Sequence, residues 1–252
     1  MIVTNTGIAF SLSSLGLIFC SFWFSKAFRE IGGLRSGSLI SFLLSIFFLG
    51  LGFEHAILAA AGLFFSTMPD ATYALLTVAN LILAIVATLG TYLAFYILLP
   101  KFSPWPAVLA TLVLGLFVVA MTIVTHPHPF IDSDNSLNWN MSRAVELPLY
   151  YLLIISLASP FLIFAKSFFQ ATKNNVKVIS LVIMLTHFLG LINVSILFSG
   201  LFEHNVGSQT HIFDKILASI GILFVVGFLI VPWVKGWFRS SIEKANITSN
   251  KK

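Results

Sequence analysis

Residues 72–99 read TYALLTVANLILAIVATLGTYLAFYILL, a run without one charged side chain. An uninterrupted apolar stretch of this length exceeds the ~18–20 residues that a helix needs to cross a ~30 Å hydrocarbon core. Six other runs share its character: roughly 4–25, 38–65, 105–125, 144–169, 177–200 and 212–238. Each is bounded by charges, Pro or polar clusters, and none shows the ~10-residue alternation of a transmembrane strand. The sequence therefore predicts an all-α fold, a polytopic seven-helix membrane bundle, because a helix satisfies its own backbone in lipid.

Composition agrees with the runs. Of the 252 residues, 58% are hydrophobic and 9% charged, with a mean hydropathy of +0.99; a water-soluble domain carries about a quarter charged residues. The chain reads as a single integral membrane domain over 1–252 without a soluble domain. Its longest polar stretches, the loop at about 126–143 and the segment after Trp237, are shorter than the ~40 residues an independent domain needs. Residues 1–25 contain no Lys or Arg ahead of the apolar stretch, so the basic start of a cleaved signal peptide is missing and the first helix is expected to be retained. Cys20 is the one cysteine and has no partner for an intrachain disulfide.

The few charges set an orientation. Of the 14 basic residues, 12 fall in the loops after the first, third and fifth spans or after the seventh, leaving Arg143 and Lys215 on the other side. The positive-inside rule then places the N-terminus outside and the C-terminus in the cytoplasm of a multi-pass cell-membrane protein. The net charge of +5 is accordingly read as topology and lipid-headgroup contact rather than nucleic-acid binding. The partners implied are the lipid bilayer and a protein docking on the basic cytoplasmic loops.

Ionisable groups at mid-membrane are costly unless paired or hydrated, which makes them the first place to look for function. Glu54 and His55 lie near the centre of the second span, and His187 near the centre of the sixth, ten residues in from Lys177. Asn80 in the third span and Asn193 in the sixth lie roughly 5–9 Å further out at the ~1.5 Å rise of a helix. Glu54, His55, Asn80, His187 and Asn193 are thus the candidate ligand-binding or proton-coupling set. Adjacent residues project ~100° apart on a helix, so at most one of Glu54 and His55 is expected to face the bundle axis. Thr186 is placed to offer a hydroxyl across helices. The competing reading is a buried polar pair that holds the second and sixth helices together.

A second candidate set is external. His126-Pro-His128 followed by Asp132 and Asp134 supplies imidazole and carboxylate groups suited to Zn²⁺, although the spacing has no helical His-x-x-x-His register. Asp132-x-Asp134-x-Ser136 opens like a calcium loop, but Leu137 and Arg143 occupy positions that require Gly and Glu, so calcium is excluded. Phosphate loops, serine-hydrolase elbows and zinc-protease helices are absent from the sequence. The middle of the seventh span, 217–231, has no Lys for a retinal Schiff base.

Pro160 is expected to kink the fifth span, and Ala59-Ala60-Ala61-Gly62 to mark a close helix contact. Trp105, Trp139, Trp233 and Trp237 read as interfacial anchors. The leading expectation is an outward-facing polar cavity that binds a small ligand or ion in a sensing or accessory subunit. A small transporter with Glu54 as proton-coupling carboxylate is the alternative. The third expectation is an intramembrane metal- or haem-dependent enzyme with His55 and His187 as axial ligands. The sequence names no definite cofactor or reaction.

Overall fold

The computed structural model describes residues 2–31, 36–172, 174–199 and 214–223. Six long helices run through it: α1 (Asn5–Ile31), α2 (Ser36–Phe64), α3 (Pro69–Leu98), α4 (Trp105–Thr125), α5 (Arg143–Gln170) and α6 (Asn174–Ser199). All six are long and apolar enough to cross a membrane. A helical stretch over 214–223, α7, begins the seventh predicted run; the remainder of that run, with Trp233, Trp237 and the basic residues beyond, lies outside the described residues. Between α4 and α5 a short antiparallel ladder pairs β1 (Phe130–Ile131) with β2 (Leu137–Asn138).

α1 outruns the apolar segment that predicts it. The apolar part of α1 ends at Lys26, yet its helix continues to Ile31, since backbone hydrogen bonding propagates into the headgroup region without needing an apolar side chain. Boundaries follow local chemistry. Pro69 in the first turn of α3 has no N–H to satisfy there, and Asp70 sits at the positive end of the helix. In α4, His126 closes the helix in the left-handed region at φ 43°, and Pro127 then prevents its continuation.

α3 is the central helix and packs on α2, α4 and α5, while α1 pairs with α2 and α5 with α6. Its buried residues Leu76, Ala79, Asn80, Leu83, Ala87 and Gly90 recur every three or four positions, a continuous stripe that faces the other helices. The expected close contact at Ala59–Gly62 is found, and its partner is α1. Gly7 and Gly62 meet backbone to backbone, so that a Cβ on Gly62 would lie 2.7 Å from Gly7 Cα. Beside them Thr4 accepts a hydrogen bond from Gly7 N (3.1 Å) and donates its hydroxyl to the Gly62 carbonyl (2.9 Å). α7 comes equally close to α1: a Cβ on Gly221 would lie 2.5 Å from the Leu12–Ser13 peptide.

The outer faces are apolar. Phe22 is 64% exposed, Phe53 55% and Val124 76%, an arrangement that is unfavourable in water and ordinary in lipid. The core between helices holds an aromatic cluster in which Phe24 stacks on Phe48 at 5.5 Å and Phe164 lies 5.7 Å from Phe24. α5 runs unbroken through Pro148 and Pro160. Pro160 has no donor for the Ser156 carbonyl one turn earlier.

Candidate functional site

The hairpin and its flanking loop lie over one end of the bundle and are tied to α1 and α7. Asn5 donates its amide to the Asn135 carbonyl and its side chain to the Asp134 carbonyl, each at 2.9 Å. Asn135, in the left-handed region at φ 63°, returns its side-chain amide to the Val3 carbonyl at 2.8 Å. Thr6 accepts the Leu137 N–H and donates to Asp214 Oδ2, which also receives the Ser136 hydroxyl, all at 2.8 Å. Thr6, Ser136, Leu137 and Asp214 are all buried.

Beneath this hairpin is a cavity of about 160 Å³ between α1, α2, α3, α5, α6 and α7. Its wall is largely apolar, with Phe10, Leu51, Leu83, Leu149 and Leu217 among the lining side chains, and Leu137, Trp139 and Met141 come from the hairpin side. All five residues singled out at mid-membrane, Glu54, His55, Asn80, His187 and Asn193, line it. Glu54, Asn80, His187 and Asn193 are each at most 4% exposed.

The expectation that only one of Glu54 and His55 faces inward is corrected: both line the cavity. His55 folds back along α2, with Nδ1 3.0 Å from the Leu51 carbonyl and its ring edge-on to Phe10 at 5.2 Å. Glu54 Oε2 is in ion-pair contact with His55 Nδ1 but has no hydrogen-bond partner among the described residues. Both the Leu51 carbonyl and the carboxylate are acceptors, so the Nδ1–H lies between two acceptors.

His187 is built the same way. Its Nδ1 lies 2.8 Å from the Ile183 carbonyl, which fixes Nδ1 as the donor and Nε2 as the lone-pair nitrogen of the neutral ring. Its ring stands edge-on to Phe48 at 5.8 Å. The neighbouring Thr186 does not bridge helices as expected: its hydroxyl is spent on the Val182 and Ile183 carbonyls of its own turn, both at 2.9 Å. Asn80 does bridge, donating from Nδ2 to Thr122 Oγ1 on α4 at 3.1 Å.

The external set does not come together as a ligand cage. His126 packs its ring on Tyr73 at 4.0 Å and on His128 at 5.2 Å, and its Nε2 is 4.0 Å from the exposed Asp70. Asp132 and Asp134 instead shape the hairpin turn, accepting from Asn138 Nδ2 (3.2 Å) and from Ser136 N (3.1 Å). Among the described residues no three His, Cys, Asp or Glu side chains stand where they would hold one metal ion.

Sequence reasoning missed the hairpin side of the cavity. Trp139, read as an interfacial anchor, lines it, whereas Trp105 is 61% exposed at the start of α4 as an anchor would be. Thr6, Ser13, Ser156 and Asp214 also contribute polar atoms to the wall. The one available signal was the density of hydroxyls in the first half of α1, at Thr6, Ser11, Ser13 and Ser14.

Fold and site define an all-helical bundle with six helices able to cross a membrane, enclosing a mostly apolar cavity with a central carboxylate and two imidazoles. Compared with protein-family models, curated proteins and solved structures, the chain matches none.

Proposed function

We propose that this chain is a multi-pass cell-membrane protein whose cavity binds a small, mainly apolar ligand carrying one cationic or hydrogen-bond-donating group, and that it serves as a sensing or accessory subunit. The observation that carries the reading is Glu54, a buried carboxylate in the cavity wall whose Oε2 meets only the neighbouring His55 Nδ1 among the described residues. Burying a carboxylate is costly even with one partner, and a donor on a ligand relieves part of the cost. The apolar wall supplies area for the rest of such a molecule, with the few polar groups fixing its orientation.

The orientation that accompanies this reading has a seventh span over 212–238, the N-terminus outside and the C-terminus in the cytoplasm. Charge placement supports it. Lys26, Lys101, Lys166 and Lys177 belong to the end opposite the hairpin, and Asp70, Asp132, Asp134, Glu146 and Asp214 to the hairpin end. The cavity then faces the outside beneath the hairpin, and the basic end is the surface for a protein partner.

Proton-coupled transport is the second reading. It is favoured by Glu54 lying beside His55 and by Pro160, which weakens α5 next to Ser156 in the cavity wall. Both readings are tested with cyclohexylamine and cyclohexanol as probes on protein in lipid nanodiscs and proteoliposomes. The binding reading predicts saturable cyclohexylamine binding that Glu54→Gln weakens at least about tenfold, the equivalent of ~1.4 kcal/mol, without pH-driven flux. Flux abolished by Glu54→Gln moves the assignment to transport. Binding of neither probe, or binding indifferent to the substitution, overturns the proposed site.

A further inference from the structure

At the end of the bundle opposite the hairpin there is a second, separate groove of about 410 Å³ between α1, α2, α5 and α6 and the end of α3. Trp23, Phe24, Ile97, Ile163 and Phe164 give it apolar walls, and Lys166 is the one charged lining residue among those described. Lys166 donates to the Ile97 carbonyl at 2.8 Å, where a cation meets the negative end of α3. That bond uses one of the three ammonium hydrogens. Across the groove Ser180 donates to Ser167 at 3.0 Å, so the polar groups gather on the α5–α6 side.

Cations flank the groove. Lys26 lies two residues beyond Phe24 in α1, and Lys177 follows the lining residue Val176 in α6. Among the described residues no carboxylate lines the groove. Among the described carboxylates Glu30 follows Lys26 by four residues in α1, while Asp70, Asp132, Asp134, Glu146 and Asp214 belong to the hairpin end. An apolar slot between helices with a lysine at its polar side, at the basic end of a membrane bundle, has the chemistry of an anionic lipid site: acyl chain on the aromatic wall, phosphate on the ammonium.

We infer that this groove holds one anionic phospholipid, its chain against Phe24 and Phe164 and its phosphate on Lys166. The site stands apart from the Glu54 cavity and does not depend on the ligand proposed there. Phe24 and Phe164 belong to the cluster whose Phe48 packs on His187, so the two sites share a wall without sharing a residue among those that line them.

Native mass spectrometry of the full chain, released from detergent with dioleoylphosphatidylglycerol, dioleoylphosphatidylcholine or glycerol 3-phosphate, tests the inference. The expected result is one retained phosphatidylglycerol, held several-fold more tightly than phosphatidylcholine and not displaced by glycerol 3-phosphate. Lys166→Gln keeps a donor for the Ile97 carbonyl while removing the charge, and should lower retention about fivefold, the worth of one lysine near a lipid surface; Lys166→Arg should restore it. Ala171→Trp fills the slot with its cations intact and should also lose the lipid. Equal retention of the two lipids overturns the proposal, as does lipid binding unchanged in Ala171→Trp. Displacement by glycerol 3-phosphate overturns it as well, since an anion site without a chain-binding groove would behave that way.

Discussion

Asp214 receives two hydroxyls, from Thr6 and Ser136, and Thr6 takes the Leu137 amide in exchange. This buried relay joins α1, the hairpin and α7 through four polar groups, and leaving one of them unmatched costs about 1–3 kcal/mol. Thr6→Val preserves the shape while removing both the donor to Asp214 and the acceptor for Leu137. The expected outcome is a lower thermal unfolding midpoint in detergent and faster proteolysis within 126–142. Ser11→Ala, which loses a bond only to the Gly7 carbonyl of its own helix, should leave both measurements nearly unchanged. Equal losses in the two variants would contradict the latch. Glu54, His55 and His187 were legible in the sequence because an ionisable group inside an apolar run is rare and expensive. Thr6 and Ser136 were not, since membrane helices carry many hydroxyls that satisfy themselves on the carbonyl one turn back, as Thr77, Thr88 and Thr125 do. Nothing local distinguishes the hydroxyl that crosses to another element.

At the scale of elements, the pairing of α1 with α2 rests on two glycines. Val at position 62 would drive its Cβ and methyls into the Gly7 backbone, which cannot rotate away, so Gly62→Val should cost about 1–3 kcal/mol of overpacking strain. Gly190→Ala meets only the tip of Leu157, with the nearest atom 3.0 Å away, and should cost far less. Thermal unfolding of the two variants side by side checks the ranking; a milder Gly62→Val would show that α1 is free to move on α2. The run Ala59–Gly62 was readable as a contact because small residues let helices approach closely. Its partner Gly7 was not, since a pairing between helices is set by tertiary geometry. The short ladder of β1 and β2 was hidden for a related reason. Asp132-x-Asp134 carries the turn chemistry of a hairpin, yet strands of two residues have no period to detect.

For the whole molecule, the apolar runs located six membrane-length helices to within a few residues at most ends. They did so because lipid imposes one requirement on every spanning segment, an apolar length sufficient for the core. The cavity is a property of assembly. Depth along each helix, calculable from the ~1.5 Å rise, set Glu54, His55 and His187 at one level with Asn80 and Asn193 roughly 5–9 Å further out. Which faces turn inward depended on packing, and there the angular argument against Glu54 and His55 sharing a cavity failed. The molecule that results has lipid-compatible outer faces, a hairpin over one end, a basic opposite end, and two cavities separated by Phe24, Phe48 and Phe164.

The central claim is that the mid-membrane carboxylate of Glu54 faces a cavity that a small molecule enters. Treating membranes that contain the full chain with dicyclohexylcarbodiimide, an apolar reagent for carboxylic acids, and mapping the adducts by peptide mass spectrometry tests it directly. The account predicts modification at Glu54 that cyclohexylamine suppresses and that Leu83→Trp, which fills the cavity, abolishes. An unmodified Glu54 in protein whose exposed Asp70 reacts, or modification indifferent to both treatments, would contradict it.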